Sequence, residues 1–134
     1  MQSLDDLVVL DLTQHIAGPY ATKLMADYGA DVIKVEKPGT GDCARGFGPF
    51  AGGIPHPEKS GLFFFVNTNK RSVVLDLKSD DGRAAVAALA ERGDAVVSGV
   101  HPRGAGRRGL TWAFGHAATP AASTRRWPRT CTHS

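Results

Sequence analysis

The chain has 134 residues, 42% hydrophobic and 22% charged, values that are ordinary for one modest globular domain. It contains no apolar run long enough to cross a bilayer, and its acidic N-terminus is unlike a signal peptide. The two cysteines, Cys43 and Cys131, are too few and too far apart to indicate a disulfide framework or a metal site. These features predict a cytoplasmic protein that binds no metal and does not enter a membrane.

The formal net charge of +3 is distributed very unevenly along the chain. Residues 1–100 carry 10 Lys and Arg against 13 Asp and Glu, a net charge of −3, whereas residues 101–134 carry six Arg and no acid, a net charge of +6. A basic tail is typical of proteins that bind nucleic acid or an anionic membrane. Because this tail has no lysine and no periodic apolar pattern, we expect neither partner, and a nucleic-acid binder is retained only as an alternative.

Strand and helix patterns alternate from the start of the chain. Residues 7–12 form a short apolar run that is typical of a buried parallel strand. Pro19 favours the first turn of a helix, and residues 20–28 repeat apolar side chains three and four positions apart. Gly29 follows, at the position where a left-handed residue ends a helix. Asp31–Glu36 is the second predicted strand.

The alternation continues later in the chain. Residues 62–66 predict a short helix or bend, and residues 72–77 predict a third strand. Ser79 is positioned to cap a helix over residues 80–92, and Ala95–Val97 begins a fourth strand. Strands that alternate with helices in this way predict an α/β fold with a parallel sheet of Rossmann type.

Two segments that follow predicted strands are candidates for ligand binding. Residues 13–19 open the first helix and can present N–H groups to a phosphate, although the G-x-G-x-x-G dinucleotide motif is absent. Residues 37–60 form a long loop rich in glycine and proline, and such loops are often functional. Glu36 stands where a ribose-binding acid would lie, but an acid at a strand end is more often simply solvated. His15 has no acidic neighbour in sequence, which favours a structural role over a role as base or donor.

Other polar residues near strand ends are predicted to bind or to support rather than to react. Cys43 has only Arg45 nearby to lower its pKa, so we expect an inert thiol. Asp11, at the end of the first strand, is expected to anchor the following turn. Cations at the mouth of the sheet would suit a polyanionic ligand, and the alternative is ordinary solvated surface charge. The four cations are Lys37, Lys70, Arg71 and Lys78.

Two stretches of the sequence are distinctive. Val-Val-Leu-Asp-Leu-Thr-Gln-His-Ile-Ala-Gly-Pro begins at Val8 and leads to Gly-Ala-Asp-Val-Ile-Lys-Val-Glu-Lys-Pro at Gly29. Asn-Thr-Asn-Lys-Arg-Ser-Val-Val-Leu-Asp-Leu-Lys begins at Asn67. They resemble the class III CoA-transferase family, which includes proteins like formyl-CoA transferase, carnitine CoA-transferase and alpha-methylacyl-CoA racemase. The resemblance is close over residues 4–98 and looser as far as Trp112.

The resemblance implies a Rossmann-like large domain, a small domain, and two chains interlocked as a dimer. Members of the family move CoA between carboxylic acids, and relatives racemise 2-methylacyl-CoA thioesters. The implied ligands are coenzyme A, an acyl-CoA and a carboxylic acid. Residues 1–98 would be the incomplete N-terminal part of the large domain, a partial CoA-binding domain, and we expect no interlocked dimer from this chain alone.

The resemblance also implies which residues contact CoA. Lys37 is the cation expected at the 3′-phosphoadenosine end, as a point charge. Ile16 replaces the glutamine of formyl-CoA transferase, which argues against oxalate or formate as the substrate. Gly99-Val-His-Pro replaces the family's Asn-Phe-x-Pro. The implied CoA-binding residues are Ile16, Ala17, Lys37, Leu75, Asp76, Leu77, Lys78, Gly99, Val100, His101 and Arg107.

The last part of the chain departs from the family. Residues 99–112 are a degenerate continuation, and the family's aspartate nucleophile and racemase His–Asp pair are expected beyond Trp112, so the chain alone is expected to be inactive. Shifting the codons of residues 118–126 back by one nucleotide permits Arg-Asn-Pro-Arg-x-Val-Tyr-Ala-Ser, close to the family pattern. This predicts a frameshifted, disordered tail over residues 113–134. The alternatives are a racemase fragment and a non-catalytic CoA- or nucleotide-binding module.

Overall fold

In a computed structural model, residues 3–99 form a four-stranded parallel sheet with helices on both faces. The structure describes these residues; Val100, His101, Arg107 and the predicted tail lie outside them. The sheet order is β3-β2-β1-β4, and every neighbouring pair of strands is parallel. The predicted Rossmann-type sheet is confirmed. Its strands are β1 (Val8–Asp11), β2 (Asp31–Glu36), β3 (Arg71–Val74) and β4 (Ala95–Val97).

Three α-helices connect the strands, as predicted. Gly29 has a φ of 107° just after the first helix, which confirms the left-handed stop. The Ser79 hydroxyl accepts a hydrogen bond from the Gly82 N–H at 3.0 Å, which confirms the cap of the third. Within residues 3–99, no helix has both the length and the apolar character needed to cross a bilayer. The helices are α1 (Ala17–Asp27), α2 (Gly61–Asn67) and α3 (Asp80–Glu91).

The core lies on both faces of the sheet. Leu10 of β1 belongs to a buried cluster with Val86 of α3, whereas Val9 belongs to a second cluster with Ala26 of α1. Successive strand residues point to opposite faces, so β1 contributes to both clusters. This double burial explains the uninterrupted apolar run in the sequence.

Strand β3 ends three residues before its predicted end. The ladder stops at Val74, and the chain then turns, because the Asp76 carbonyl accepts hydrogen bonds from the Ser79 N–H (3.0 Å) and hydroxyl (2.8 Å). Gly82 packs so closely that a Cβ there would lie 1.9 Å from the Asp76 carbonyl oxygen. After a last bond to β2 from the Leu75 N–H (2.9 Å), the turn that leads into α3 replaces strand pairing.

Candidate functional site

The ends of all four strands meet at one edge of the sheet, because the strands are parallel. We call the segments that directly follow β1, β2, β3 and β4 the carboxyl edge. The topology brings to this edge segments that are far apart in sequence. The implied CoA-binding residues within the described range all lie in these segments: Ile16 and Ala17 after β1, Lys37 after β2, Leu75, Asp76, Leu77 and Lys78 after β3, and Gly99 after β4.

Exposure separates these residues into two kinds. Lys37, Asp76 and Lys78 are exposed, and Ile16 is 46% exposed. The side chains of the two leucines at positions 75 and 77 are half-buried and pack against the core cluster beneath α3. These leucines therefore serve the core with their side chains and offer a ligand only their backbone groups.

The N-terminus of α1 lies at the carboxyl edge without a side-chain cap. Ile16 occupies the cap position, and the first turn holds no acidic residue. The first N–H groups of a helix have no partner within the helix, and the helix dipole adds partial positive charge at the same place. An uncapped helix start of this kind favours an anion such as a phosphate.

The strand order places a topological switch point beside this helix start. The chain leaves β1 for β2 on one side, while β4 pairs with β1 on the other side. In open parallel sheets, ligands bind outside the carboxyl ends of the strands at such a switch point. Ile16, Ala17 and Gly99 follow the two strands that flank it.

Asp11 ends β1 beneath the turn that leads into α1. Its fully buried carboxylate accepts hydrogen bonds from the Thr13 N–H (2.9 Å), the Thr22 hydroxyl (2.7 Å) and the Lys70 ammonium (2.9 Å). Burial alone would raise the pKa of Asp11, but Lys34, Lys70 and the two hydroxyls outweigh burial and lower it. The predicted role as an anchor of the turn is confirmed.

A buried ion pair lies under the same turn. Lys34 Nζ is 2.7 Å from Asp42 Oδ2, and the two side chains are 1% and 0% exposed. Lys34 Nζ also donates to the Thr13 carbonyl at 3.0 Å. Asp42 Oδ1 accepts from the N–H groups of His15 (2.9 Å) and Ala44 (2.8 Å). The pair therefore contacts both the turn after β1 and the loop after β2.

His15 takes part in this turn mainly through its backbone. Its φ of 75° is left-handed, a conformation that costs a non-glycine residue on the order of 1–3 kcal/mol. Its ring is exposed, and its centroid is 5.3 Å from that of the Phe47 ring. The N–H bond to Asp42 agrees with the expected structural role.

Glu36 is buried, so the prediction of a solvated acid is wrong. Its side chain is 3% exposed, and Arg45 donates from Nε to Oε2 (2.8 Å) and from Nη2 to Oε1 (2.9 Å). The Asp42 N–H and the Ser72 hydroxyl complete the set, each at 2.9 Å. Burial alone would raise the pKa of Glu36, but the hydrogen bonds from Arg45 and the other donors lower it to about 2. These contacts occupy the carboxylate that a ribose would need.

The predicted group of four cations is divided between the two edges of the sheet. Lys37 and Lys78 are exposed at the carboxyl edge. Arg71 instead begins β3 and pairs with Asp31, which begins β2. Parallel strands place these two residues at the opposite edge, so the prediction is wrong for Arg71.

Lys70 is also not exposed at the carboxyl edge, because its side chain is buried and only 1% exposed. Its ammonium donates to Asp11 Oδ2 (2.9 Å), the Pro19 carbonyl (2.8 Å) and Asn67 Oδ1 (2.9 Å). Burial lowers the pKa of Lys70, although the nearby Asp11 carboxylate acts to raise it. The lysine joins α1 to β1 and is not available to a solvent-borne ligand, so the prediction is wrong here too.

Cys43 agrees with the expectation of an inert thiol. The residue is exposed, and both desolvation of its thiol and the Asp42 carboxylate raise its pKa. Across residues 3–99, no group of three or more His, Cys, Asp or Glu side chains is arranged to hold a metal ion.

Lys34, Asp42 and Arg45 were not among the predicted site residues. A lysine within an otherwise apolar strand of a parallel sheet was the available signal, because a residue buried there must find an acidic partner. The sequence does not reveal which acid it meets. That partner, Asp42, lies in the irregular loop, where no periodicity orients side chains.

Curated proteins of known activity are similar to this chain in sequence. The chain is 54% identical over 97 residues to a succinyl-CoA:mesaconate CoA-transferase of Haloarcula hispanica, covering 72% of this chain and 24% of that protein. It is 42% identical over 111 residues to a formyl-CoA:oxalate CoA-transferase of Rhodopseudomonas palustris, covering 83% and 25%. The chain thus spans about a quarter of the length of these curated relatives.

Solved structures share the fold. A protein from M. tuberculosis matches with a TM-score of 0.78 and 34% identity, over 90% of this chain and 33% of that protein. A CaiB/BaiF family protein from Brucella suis matches with a TM-score of 0.78 and 33% identity, over 88% and 31%. The family described as CoA-transferase family III matches residues 4–121, which confirms the resemblance found in the sequence. The chain belongs to CoA-transferase family III.

Proposed function

We propose that residues 3–99 form part of the CoA-binding edge of an acyl-CoA transferase, an enzyme that moves CoA between two carboxylic acids. One observation carries this proposal: the implied CoA-binding residues of the described range all follow the carboxyl ends of parallel strands. The family match and the relatives named as CoA-transferases support it. The matched segment is about a quarter of each relative, so further chain would be needed for a whole enzyme.

The chemistry of CoA suits the exposed features of this edge. CoA carries a pyrophosphate and a 3′-phosphate on its ribose. The uncapped start of α1, at Ile16 and Ala17, offers N–H groups and partial positive charge to the pyrophosphate. Lys37, exposed just after β2, offers an ammonium to the 3′-phosphate at the adenosine end. Backbone groups of residues 75–78 line the same edge.

The proposed acid substrate is neither oxalate nor formate. Ile16 presents a half-exposed apolar side chain where formyl-CoA transferase has a glutamine, and an apolar group cannot make the hydrogen bonds that a glutamine amide makes. The identity to the succinyl-CoA:mesaconate transferase, 54%, is also higher than that to the formyl-CoA:oxalate transferase, 42%.

The chain alone is predicted to be inactive and not to form the family's interlocked dimer. After Asp94 it contains no Asp or Glu, although the resemblance implies a carboxylate nucleophile beyond Trp112. Incubation with succinyl-CoA and a panel of carboxylic acids, followed by chromatography of the thioesters, should show no exchange. Exchange that a substitution within this chain abolishes would contradict the prediction.

Calorimetric titration of the full chain with CoA tests the proposal. Lys37→Ala should weaken CoA binding about tenfold, equivalent to about 1.4 kcal/mol, because one charge contact to the 3′-phosphate is lost. The same substitution should leave the affinity for dephospho-CoA, which lacks that phosphate, unchanged. Arg92→Ala is the matched control, because Arg92 is an exposed cation at the far end of α3. No binding of CoA by the parent chain, or equal losses in the two variants, would overturn the proposal.

A further inference from the structure

The Lys34–Asp42 ion pair lies out of contact with solvent, beneath the turn between β1 and α1. Both side chains are essentially inaccessible, at 1% and 0% exposure. Taking two charges out of water costs free energy that their attraction does not always return, and apolar residues of similar volume are often at least as stabilising. Its burial is therefore not explained by stability alone, and its contacts with the neighbouring backbone indicate a second role.

Each partner holds a backbone group of the turn between β1 and α1. The Thr13 carbonyl points inward to Lys34 Nζ, at 3.0 Å. The His15 N–H points inward to Asp42 Oδ1, at 2.9 Å. His15 is in the left-handed region, with a φ of 75°, so this turn is a conformation that its own residues do not favour. Contacts from the surrounding structure must hold it.

The residues that face the proposed ligand come directly after these two contacts. Ile16 and Ala17 are exposed at the start of α1. On the other side of them, the Pro19 carbonyl is held by the buried Lys70 at 2.8 Å. The turn is thus fixed from beneath on both sides, while its outer surface stays open. A site that is fixed before binding loses less conformational freedom when the ligand arrives.

We propose that the buried Lys34–Asp42 pair is a positioning device that holds the turn over residues 13–17 in its ligand-binding conformation. The identity of the ligand as CoA rests on the proposed function, whereas the effect on the turn does not. Lys34 and Asp42 make no hydrogen bond to Ile16 or Ala17 themselves. They act through the Thr13 carbonyl and the His15 N–H.

Hydrogen exchange in the unmodified full chain gives the first test. The His15 N–H, held by a buried acceptor, should exchange at least about tenfold more slowly than the N–H groups of Ile16 and Ala17, after correction for intrinsic rates. Exchange of His15 as fast as that of its two neighbours would overturn the proposal. This measurement needs no variant and no ligand.

A pair of double variants gives the second test. The first variant, Lys34→Met with Asp42→Leu, removes both charges and both contacts of the pair with the turn. The second, Lys34→Met with Asp42→Asn, also removes the charges but keeps an acceptor for the His15 N–H. Backbone order parameters of residues 15–18 should fall below about 0.6 in the first variant, which keeps neither contact, and should lie between about 0.6 and 0.85 in the second, which keeps one of the two. Arg71→Met with Asp31→Leu, at the opposite edge, is the matched control and should change neither these order parameters nor CoA binding.

The CoA affinities of the same variants separate this inference from the proposed function. The variant with Asp42→Leu should bind CoA at least about tenfold more weakly than the variant with Asp42→Asn. The two variants should have similar midpoints of urea unfolding. If the parent chain binds no CoA, the proposed function fails, and the exchange and order parameters still decide the positioning role. Equal order parameters in the two variants would overturn the positioning role even if CoA binds.

Discussion

Arg45 joins the end of β2 to the long loop through a two-point ion pair with Glu36. Nε and Nη2 of the guanidinium donate to the two carboxylate oxygens at 2.8 and 2.9 Å, the paired geometry that makes such bonds strong. The guanidinium also lies 3.7 Å from the centroid of the Phe63 ring on α2 and 3.0 Å from Glu58. One arginine therefore fixes the loop against both a strand and a helix.

The Arg45–Glu36 ion pair should make the free energy of unfolding depend on pH under acidic conditions. The pKa of Glu36 is lowered from 4.5 to about 2 by folding, so its contribution is fully present above 4.5 and is lost as the pH falls toward 2. Integrated over that window, the loss is on the order of 3 kcal/mol in the free energy of unfolding. Urea unfolding of Glu36→Gln should show a flatter pH dependence between 4.5 and 2 than the parent chain.

Glu58→Gln is the control for this experiment. Glu58 bonds to the same arginine, but its side chain is 69% exposed, so its loss should leave the pH dependence almost unchanged. If Glu36→Gln and the parent chain lost stability in parallel as the pH falls, the assigned role of Glu36 would be wrong.

Gly18 should be intolerant of any side chain. A Cβ at this position would lie 2.4 Å from the Thr13 Cβ, so α1 packs on the preceding turn without space for a methyl group. Gly18→Ala should lower the free energy of unfolding by about 1–3 kcal/mol through overpacking. Gly46→Ala is the matched control, because a Cβ there meets nothing within 4 Å. Equal stabilities of the two variants in urea would contradict this packing.

Lys70 should contribute far more to stability than its neighbour Arg71. Lys70→Met leaves the buried Asp11 carboxylate without its ammonium partner, which should cost about 3–5 kcal/mol in the free energy of unfolding. Arg71→Met breaks an ion pair whose side chains are 67% and 43% exposed, and should cost about 0–1 kcal/mol. Chemical denaturation of the two variants measures both values. Similar costs would show that Lys70 is not the buried partner described here.

Regular elements were predictable from the sequence because their signals are local. Asp31–Glu36 was predicted with the bounds that the structure has, and the fourth strand was predicted to begin at Ala95, where β4 begins. The Ser79 cap and the Gly29 stop were also correct, since each depends on residues within a few positions. The end of β3 was not, because the apolar alternation at positions 75 and 77 continues past Val74, where the strand ends.

The charged residues were harder to predict because their partners are distant in sequence. Nothing near Glu36 in sequence indicates that Arg45 will fold back over it, or that the hydroxyl of Ser72 on β3 will donate to the same carboxylate. Lys70 and Arg71 are adjacent, yet one is buried against Asp11 and the other is exposed at the opposite edge. The set of implied CoA contacts came from the family resemblance, and the parallel topology explains why they share one edge.

An NMR titration of the full chain with CoA tests the central claim most directly. The account predicts that the backbone amide shifts that change most belong to the carboxyl edge: Ile16, Ala17, Lys37 and residues 75–78. The amides of Asp31, Arg71 and Asp94, at or near the start of their strands, should change little. Shift changes concentrated at Asp31, Arg71 and Asp94, or no change at millimolar CoA, would contradict the assignment of this edge as a CoA-binding site.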